Sequence, residues 1–205
     1  MLRTAQKLGR NTAGARRGKE IPRLWFFTDP IRIPDPLTAA AALPRGSAVV
    51  YRAFGSDDAL TTARALRKLT RAKGLILLIG ADAGLAARVG ADGVHLPERA
   101  AHRIRTARRR PDWLITVAAH GAVAIRRGQG ADAIVLSAVF PSRSPSAGRP
   151  LGPVRFALLA RPSATPIIAL GGVNMKNAPR LISAGAAGLA AIDGLTPGQG
   201  LPART

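Results

Sequence analysis

The stretch LILLIGADAGLAARVGADGVHL, residues 75 to 96, contains one complete unit of the fold. Leu75–Ile79 is apolar throughout, Asp82–Val89 has helix-like spacing, and Gly93–Leu96 is a second short apolar run. Runs that are apolar at every position are typical of strands buried on both faces of a parallel sheet. The stretch therefore predicts a strand, a connecting helix and a second parallel strand.

The same alternation continues from Leu24 to Ile192. Apolar runs occur at Leu24–Thr28, Ala48–Arg52, Leu75–Ile79, Gly93–Leu96, Leu114–Ala118, Ala133–Ser137, Pro166–Leu170 and Gly188–Ile192. Helix-like stretches between them are Leu37–Leu43, Asp57–Lys73, Asp82–Val89, Glu98–Arg110, Ala122–Gly128, Val154–Ala160 and Asn174–Ala184. Eight buried strands with intervening helices predict an α/β protein, a compact (β/α)8 TIM barrel. A doubly wound open sheet is the alternative, although it usually has fewer strands.

The two ends of the chain differ from this pattern. Residues 1–22 carry six basic residues before the first acid, Glu20. This composition fits a disordered tail, a transit peptide or a start codon placed too early, so we assign the barrel to residues 23–205. After Ile192 the Pro- and Gly-rich end cannot form a full eighth helix. The groove between the first and last strands must then be covered by the N-terminal segment, by a partner chain or by nothing.

Composition limits the classes of function. The 205 residues include no cysteine, which excludes disulfides, thiolate zinc sites and cysteine nucleophiles. The net charge of +20 attracts polyanions, but the 26 arginines are dispersed and aromatic residues are only 4%. We therefore expect no nucleic-acid partner. No apolar run is long enough to cross a membrane, so we expect a cytoplasmic protein, and the sequence leaves a homo-oligomer open.

Two segments that follow late strands predict an anion site. Functional groups of such barrels lie where strands end, with phosphate sites recurring after the seventh and eighth strands. Residues 166–174 run from a strand through Gly171 and Gly172 toward a predicted helix, whose amino end would add its dipole. The loop 137–152 supplies hydroxyls and arginines that suit phosphate oxygens.

These blocks resemble thiamine phosphate synthase and its TenI-type thiazole tautomerase relatives over roughly Leu24 to Leu195. The resemblance rests on the order and spacing of LWFFTD (residues 24–29), GADGVHL (90–96), VFPSRS (139–144), PLG (150–152), PIIALGG (166–172) and AGAAG (184–188). It implies the same barrel fold, and a thiazole phosphate as the ligand.

The resemblance also implies which residues hold that ligand. By family position, the phosphate contacts are Ser142, Ser144, Gly152, Gly171, Gly172, Ile192 and Asp193. Asp193 departs from the family, which usually has a serine there. A carboxylate repels phosphate, so Asp193 must point away, pair with an arginine such as Arg52, or indicate a different ligand. Asp29 matches the family pattern, and we expect it to orient Arg52.

The residues by which synthases bind magnesium and diphosphate are mostly absent. Of the Gln-x-Arg-x-Lys pattern after strand two only Arg52 remains, which we expect to clamp an anion. The aligned metal ligands are replaced by Gly80, Ala81 and Ala100, and a lysine is replaced by Pro145. Asp82 and Glu98 lie one or two positions away as imperfect substitutes. We therefore expect no metal site and no cofactor, with magnesium the exception to test.

His120 ends strand five, where synthases and tautomerases both have a histidine, and in tautomerases it is the proposed acid–base group. An imidazole titrates near neutrality, as proton transfer on a thiazole ring requires. His95, within a strand, is interpreted as structural. The sequence thus predicts an enzyme of thiamine biosynthesis with tautomerase-like or divergent synthase activity. The alternative is a non-catalytic binder or sensor of a phosphorylated ligand, with nucleic-acid affinity through its arginines.

Overall fold

Eight parallel strands form a closed barrel in chain order in the computed structural model, which describes residues 1–8, 20–142, 144 and 148–193. The strands are β1 Leu24–Phe27, β2 Ala48–Tyr51, β3 Ile76–Gly80, β4 Gly93–Leu96, β5 Leu114–Ala119, β6 Ala133–Leu136, β7 Ile167–Ala169 and β8 Gly188–Ala191. Each begins within one residue of its predicted start. Pairing of Leu24 in β1 with Leu189 in β8 closes the barrel. The predicted TIM barrel is confirmed, and the open-sheet alternative is wrong.

Helices cover the outside of the barrel. They are α1 Leu2–Lys7, α2 Pro36–Ala41, α3 Ala59–Lys73, α4 Ala83–Val89, α5 Ile104–Ala107, α6 Ala122–Arg127 and α7 Gly152–Ala160. Two predicted helices differ from expectation. Glu98–Arg110 divides into a 3-10 helix, Glu98–Arg103, followed by α5, and Asn174–Ala184 contains only the 3-10 helix Ala178–Leu181. Within the described part of the chain, no helix is long and apolar enough to span a bilayer.

The core has two layers because successive strand residues face opposite sides of the sheet. Trp25, Phe27 and Val50 belong to the cluster that fills the barrel interior. Leu24 and Phe26 alternate with them and belong to the larger cluster between the barrel and its helices. Burial on both sides explains why the strand sequences are apolar at every position. It also leaves the strand ends as the places where polar groups concentrate.

The N-terminal segment differs from the expected disordered tail over residues 1–8. Met1, Ala5 and Leu8 are buried and belong to the cluster between the barrel and its helices. The Gln6 carbonyl accepts a hydrogen bond of 2.9 Å from the Arg23 guanidinium, directly before β1. Thus the N-terminal segment packs beside β1, one of the three options for the groove. Residues 9–19, and the truncated last helix predicted for 194–205, lie outside the described residues.

Candidate functional site

The carboxyl ends of the strands surround an open cavity of about 1760 Å³, the barrel mouth. Eight of the ten predicted site residues line it: Arg52, His120, Ser142, Ser144, Gly171, Gly172, Ile192 and Asp193. Asp29 and Gly152 do not. Asp29 acts through Arg52, whereas the Gly152 N–H donates to the Val139 carbonyl at 2.8 Å. The assignment of Gly152 to the phosphate has no support in this geometry, because its N–H is engaged inside the loop.

Gly171 and Gly172 form a tight turn that only glycine can adopt. Their φ angles are +95° and +65°, in the left-handed region. A Cβ on Gly171 would lie 2.8 Å from Ala138, and a Cβ on Gly172 would lie 2.2 Å from the Pro141 carbonyl oxygen. The turn after β7 is thus pressed against the loop after β6. Within the described part of the chain, neither glycine N–H donates a hydrogen bond.

Hydrogen bonds fix the loop after β6 to this glycine turn. The Val139 N–H donates to the Leu170 carbonyl at 3.0 Å, and the Phe140 N–H donates to the Gly171 carbonyl at 2.9 Å. Ser142 and Ser144 follow in the same loop and reach the mouth. Two backbone N–H groups and two hydroxyl side chains therefore border one side of the cavity. We name this group, Ser142, Ser144, Gly171 and Gly172, the glycine–serine side.

The expected helix dipole behind the glycines is absent, which corrects the sequence interpretation. The Asn174 side chain accepts hydrogen bonds from the backbone N–H groups of Lys176 and Asn177. The Asn174 and Asn177 amides both donate to the Gly172 carbonyl, at 3.4 and 2.8 Å. The two backbone N–H groups would have no partner within a helix, so these bonds do not prevent one. Pro179 has no N–H with which to continue an α-helix, and only the 3-10 helix Ala178–Leu181 forms. Binding of an anion at the glycine turn would therefore rely on the backbone N–H groups of Gly171 and Gly172 and not on a helix dipole.

Arg52 is held at the mouth by β1 and its following turn. Its Nε donates to the Thr28 carbonyl at 2.7 Å, and its Nη2 lies 3.5 Å from Asp29 Oδ2. The guanidinium lies near the rings of Phe27 and Phe54, 5.8 and 5.0 Å from their centroids. Burial lowers the pKa of Arg52 from its usual value, and the Asp29 charge opposes that shift. The geometry agrees with the expectation that Asp29 orients Arg52.

Asp193 pairs with Arg32, not with Arg52. The Arg32 guanidinium donates to Asp193 Oδ2, which links the turn after β1 to the end of β8. The Asp29 carboxylate accepts hydrogen bonds from the Ile31 and Arg32 N–H groups, so the turn that carries Arg32 is itself fixed. Of the three roles expected for Asp193, pairing with an arginine is the one the geometry matches. Sequence reasoning missed Arg32 because it lies inside a loop, five residues past the last residue of β1.

His120 and Glu98 form a pair that the sequence did not predict. Glu98 Oε2 lies 2.7 Å from His120 Nδ1 and accepts the His120 backbone N–H at 3.1 Å. A carboxylate can only accept, so Nδ1 carries the proton and Nε2 is the basic nitrogen of the neutral ring. The His120 side chain is 50% exposed in the mouth. Glu98 follows β4 and His120 follows β5, and the ends of neighbouring strands are adjacent in a barrel, so the strand order could have predicted this pair.

His95 contributes to the floor of the mouth. It is 8% exposed, its Nδ1 lies 2.9 Å from Thr116 Oγ1, and its ring packs edge-on against Phe27 with centroids 5.1 Å apart. Burial, with a smaller contribution from the Arg52 charge, lowers the pKa of His95 to about 3. The ring is therefore neutral at pH 7. These contacts agree with the structural interpretation, although the side chain also borders the cavity.

The side chains near β3 and β4 do not fit the magnesium site of synthases. Gly80 and Ala81 offer no side-chain oxygen. Asp82 Oδ1 accepts the Leu85 N–H and begins α4, and Glu98 is engaged by His120. Among the described residues, no group of three histidine or carboxylate side chains is arranged to hold a metal ion. Magnesium prefers near-octahedral oxygen ligands, so two engaged carboxylates make a poor site.

Comparisons with known proteins agree with the resemblance. Residues 25–195 match the family described as thiamine monophosphate synthase. A thiamine-phosphate synthase of Chromobacterium violaceum is 38% identical over 167 residues, 77% of this chain and 79% of that protein. One of Alcanivorax borkumensis is 35% identical over 187 residues, 84% of each. The structure of a thiamine phosphate pyrophosphorylase from Pyrococcus furiosus matches with a TM-score of 0.69 at 23% identity, covering 83% and 85% of the chains.

Proposed function

Since the chain belongs to the thiamine monophosphate synthase family, whose members are transferases of thiamine biosynthesis, we propose that it binds a thiazole phosphate in the barrel mouth and moves a proton on the thiazole ring. The observation that carries this proposal is the His120–Glu98 pair, which lies in the same mouth as the glycine–serine side. One region suits an anion, and the other suits proton transfer.

The phosphate binds on the glycine–serine side. The Gly171 and Gly172 N–H groups and the Ser142 and Ser144 hydroxyls donate hydrogen bonds to its oxygens, and hydrogen bonds to an ionised acceptor are the stronger kind. Asp193 does not oppose the anion, since its carboxylate is paired with Arg32. Ile192 contributes backbone at the end of β8.

His120 acts as the general base and then as the general acid. Its Nε2 accepts the proton that leaves one ring position and returns a proton at another, so atoms and charge balance without a further reactant. Glu98 is a positioning residue that keeps the proton on Nδ1 and stabilises the imidazolium formed between the two steps. Arg52 stabilises negative charge on the ligand from the opposite wall.

Coupling to a pyrimidine diphosphate is the less favoured activity. That reaction needs stabilisation of a departing diphosphate. The family lysine after strand two is replaced by Phe54, whose ring packs on Arg52, and the metal ligands are replaced as described. A non-catalytic binder remains the second candidate, because the glycine–serine side requires no chemistry to hold a phosphate.

Two assays on one protein preparation test the proposal. The first measures loss of deuterium from a ring-deuterated thiazole phosphate by NMR, in buffer with EDTA. The second measures thiamine phosphate formed from thiazole phosphate, pyrimidine diphosphate and magnesium, beside an active synthase. We expect exchange in the first assay and little product in the second.

Three outcomes contradict the proposal in different ways. Binding of thiazole phosphate without exchange identifies a non-catalytic binder. Rapid coupling with magnesium identifies a synthase that uses other residues. Absence of thiazole phosphate binding by calorimetry contradicts the assignment of the ligand itself.

A further inference from the structure

A second cavity of about 470 Å³ lies outside the barrel, on the flank formed by α5 and α6. Its lining consists of Ala101, His102, Ile104, Arg105, Arg108, Arg127, Gln129 and Gly130. Gln129 and Gly130 precede β6, so this part of the cavity lies toward the amino ends of the strands, opposite the mouth. We name it the α5–α6 cavity. Arg127 is the residue that borders both cavities.

Arg108 is a fixed cation in this cavity. Its Nη1 and Nη2 donate to both oxygens of Asp132, at 2.9 and 2.8 Å, and its Nη2 and Nε also donate to the Gly130 carbonyl, at 2.7 and 3.2 Å. Asp132 is only 1% exposed and accepts the Ile115 N–H at 2.7 Å. The barrel itself therefore sets the orientation of the guanidinium. These bonds engage four of its five N–H groups and pair its charge with Asp132, so one Nη1 N–H remains for a ligand.

Arg105 and Arg127 add positive charge that nothing nearby offsets. Both are exposed, and in the part of the chain that the structure describes neither side chain has an ion pair or a hydrogen bond. The lining contains no acidic residue, and Asp132 is already committed to Arg108. Cations that line one concave surface raise its potential and attract anions. Arginine forks suit phosphate oxygens in particular.

The lining also indicates the size and kind of the anion. A volume of 470 Å³ lies within the range of small-ligand sites. No Phe, Tyr or Trp is among the lining residues, so a nucleobase would find no ring to stack on. We propose that the α5–α6 cavity binds a small oligophosphate through the charges of Arg105 and Arg127 and the remaining Nη1 N–H of Arg108, separately from the ligand in the mouth.

Calorimetric titration with inorganic pyrophosphate, in low salt with EDTA, tests this site. We expect one pyrophosphate per chain, with an unchanged affinity when the mouth is first saturated with thiazole phosphate. The double variant Arg105→Gln/Arg127→Gln should raise the Kd at least about tenfold, because it removes charge-assisted hydrogen bonds. The matched control is Arg64→Gln/Lys68→Gln on the exposed face of α3, which removes the same charge elsewhere. It should change the Kd less than about twofold, as expected for screened surface charges.

Several results overturn the inference. An equal loss of pyrophosphate affinity in the α3 control variant shows that binding depends only on the net charge of the protein. Loss of binding in Arg52→Gln, or competition by thiazole phosphate, assigns pyrophosphate to the mouth. Absence of pyrophosphate binding together with salt-dependent binding of an RNA oligonucleotide makes this flank a nucleic-acid surface. None of these results depends on whether the mouth catalyses proton transfer.

Discussion

The two walls of the barrel mouth use different parts of the chain. On the glycine–serine side the ligand-facing groups include backbone N–H groups, held by a turn whose geometry excludes any side chain. On the wall formed by the ends of β1 to β5, the groups are side chains, and their partners are other side chains of the same wall: Arg52 with Asp29, and His120 with Glu98. A backbone site tolerates sequence change at neighbouring positions, whereas a side-chain site changes chemistry with single replacements. Gly80 and Ala81, where the resemblance implies metal ligands in synthases, lie on the second wall.

The largest expected effect is on the side-chain wall. His120→Ala should lower the rate of proton exchange by about 10² to 10⁴-fold, as removal of a positioned acid–base group does. The Kd for thiazole phosphate should stay within about twofold, because the phosphate contacts lie on the other wall. Exchange NMR and calorimetry measure the two quantities. His102→Ala, outside the mouth, is the control, and full exchange in His120→Ala would remove the catalytic role.

Glu98→Gln sharpens the same assignment. The amide keeps a hydrogen-bond partner for His120 but cannot stabilise an imidazolium, so kcat should fall by about tenfold while KM stays the same. A fall in stability with unchanged kcat would instead mean that Glu98 only fixes the strand end.

The next effect concerns the backbone wall. Gly172→Ala should lower the free energy of unfolding by about 3 kcal/mol, because its Cβ meets the Pro141 carbonyl and its φ is left-handed. Thiazole phosphate binding should weaken as the turn shifts. Gly148→Ala is the control, since a Cβ there has open space. Urea unfolding and calorimetry measure both, and equal effects of the two variants would contradict the tight-turn argument.

A smaller effect should be the dependence of the free energy of unfolding on pH through His95, which lies on the floor of the mouth. Burial lowers the pKa of His95 to about 3 in the folded chain, whereas in the unfolded chain it is about 6.5. Between these two pH values the unfolded chain binds a proton at His95 and the folded chain does not. Stability should therefore be complete above about pH 6.5 and fall on acidification, by about 2 kcal/mol at pH 5 from this group. Urea unfolding at pH 7 and pH 5 should show less loss in His95→Gln than in the parent protein. An identical loss would mean that His95 does not cause it.

The smallest expected effect is that of magnesium. Since Asp82 caps α4 and Glu98 holds His120, addition of magnesium or EDTA should change thiazole phosphate affinity and exchange rate by less than about twofold, within the scatter of weak ionic effects. Strong magnesium dependence would show that the second wall still binds metal. Asp82→Asn and Glu98→Gln would then show which carboxylate holds it.

Structural features that form within one short segment could be predicted from the sequence. Contacts between two segments distant in the sequence mostly could not. The eight strands followed from apolar runs, and the glycine turn followed from adjacent glycines after a strand. The Glu98–His120 and Arg32–Asp193 pairs depend on which loops meet, which local pattern does not contain. The α-helix expected after Asn174 was wrong because Pro179 has no N–H with which to continue it, and only the 3-10 helix Ala178–Leu181 forms. The N-terminal helix was missed because only its packing against the barrel favours it.

Closure of the barrel has a consequence for synthesis of the protein. β1 is synthesised before the other seven strands of the barrel, yet one of its two partners, β8, is synthesised after them. During translation β1 can pair with β2 while its other edge stays open, and an open strand edge is a template for association with other chains. The open edge of β1 thus stays available for association with other chains until β8 has been synthesised.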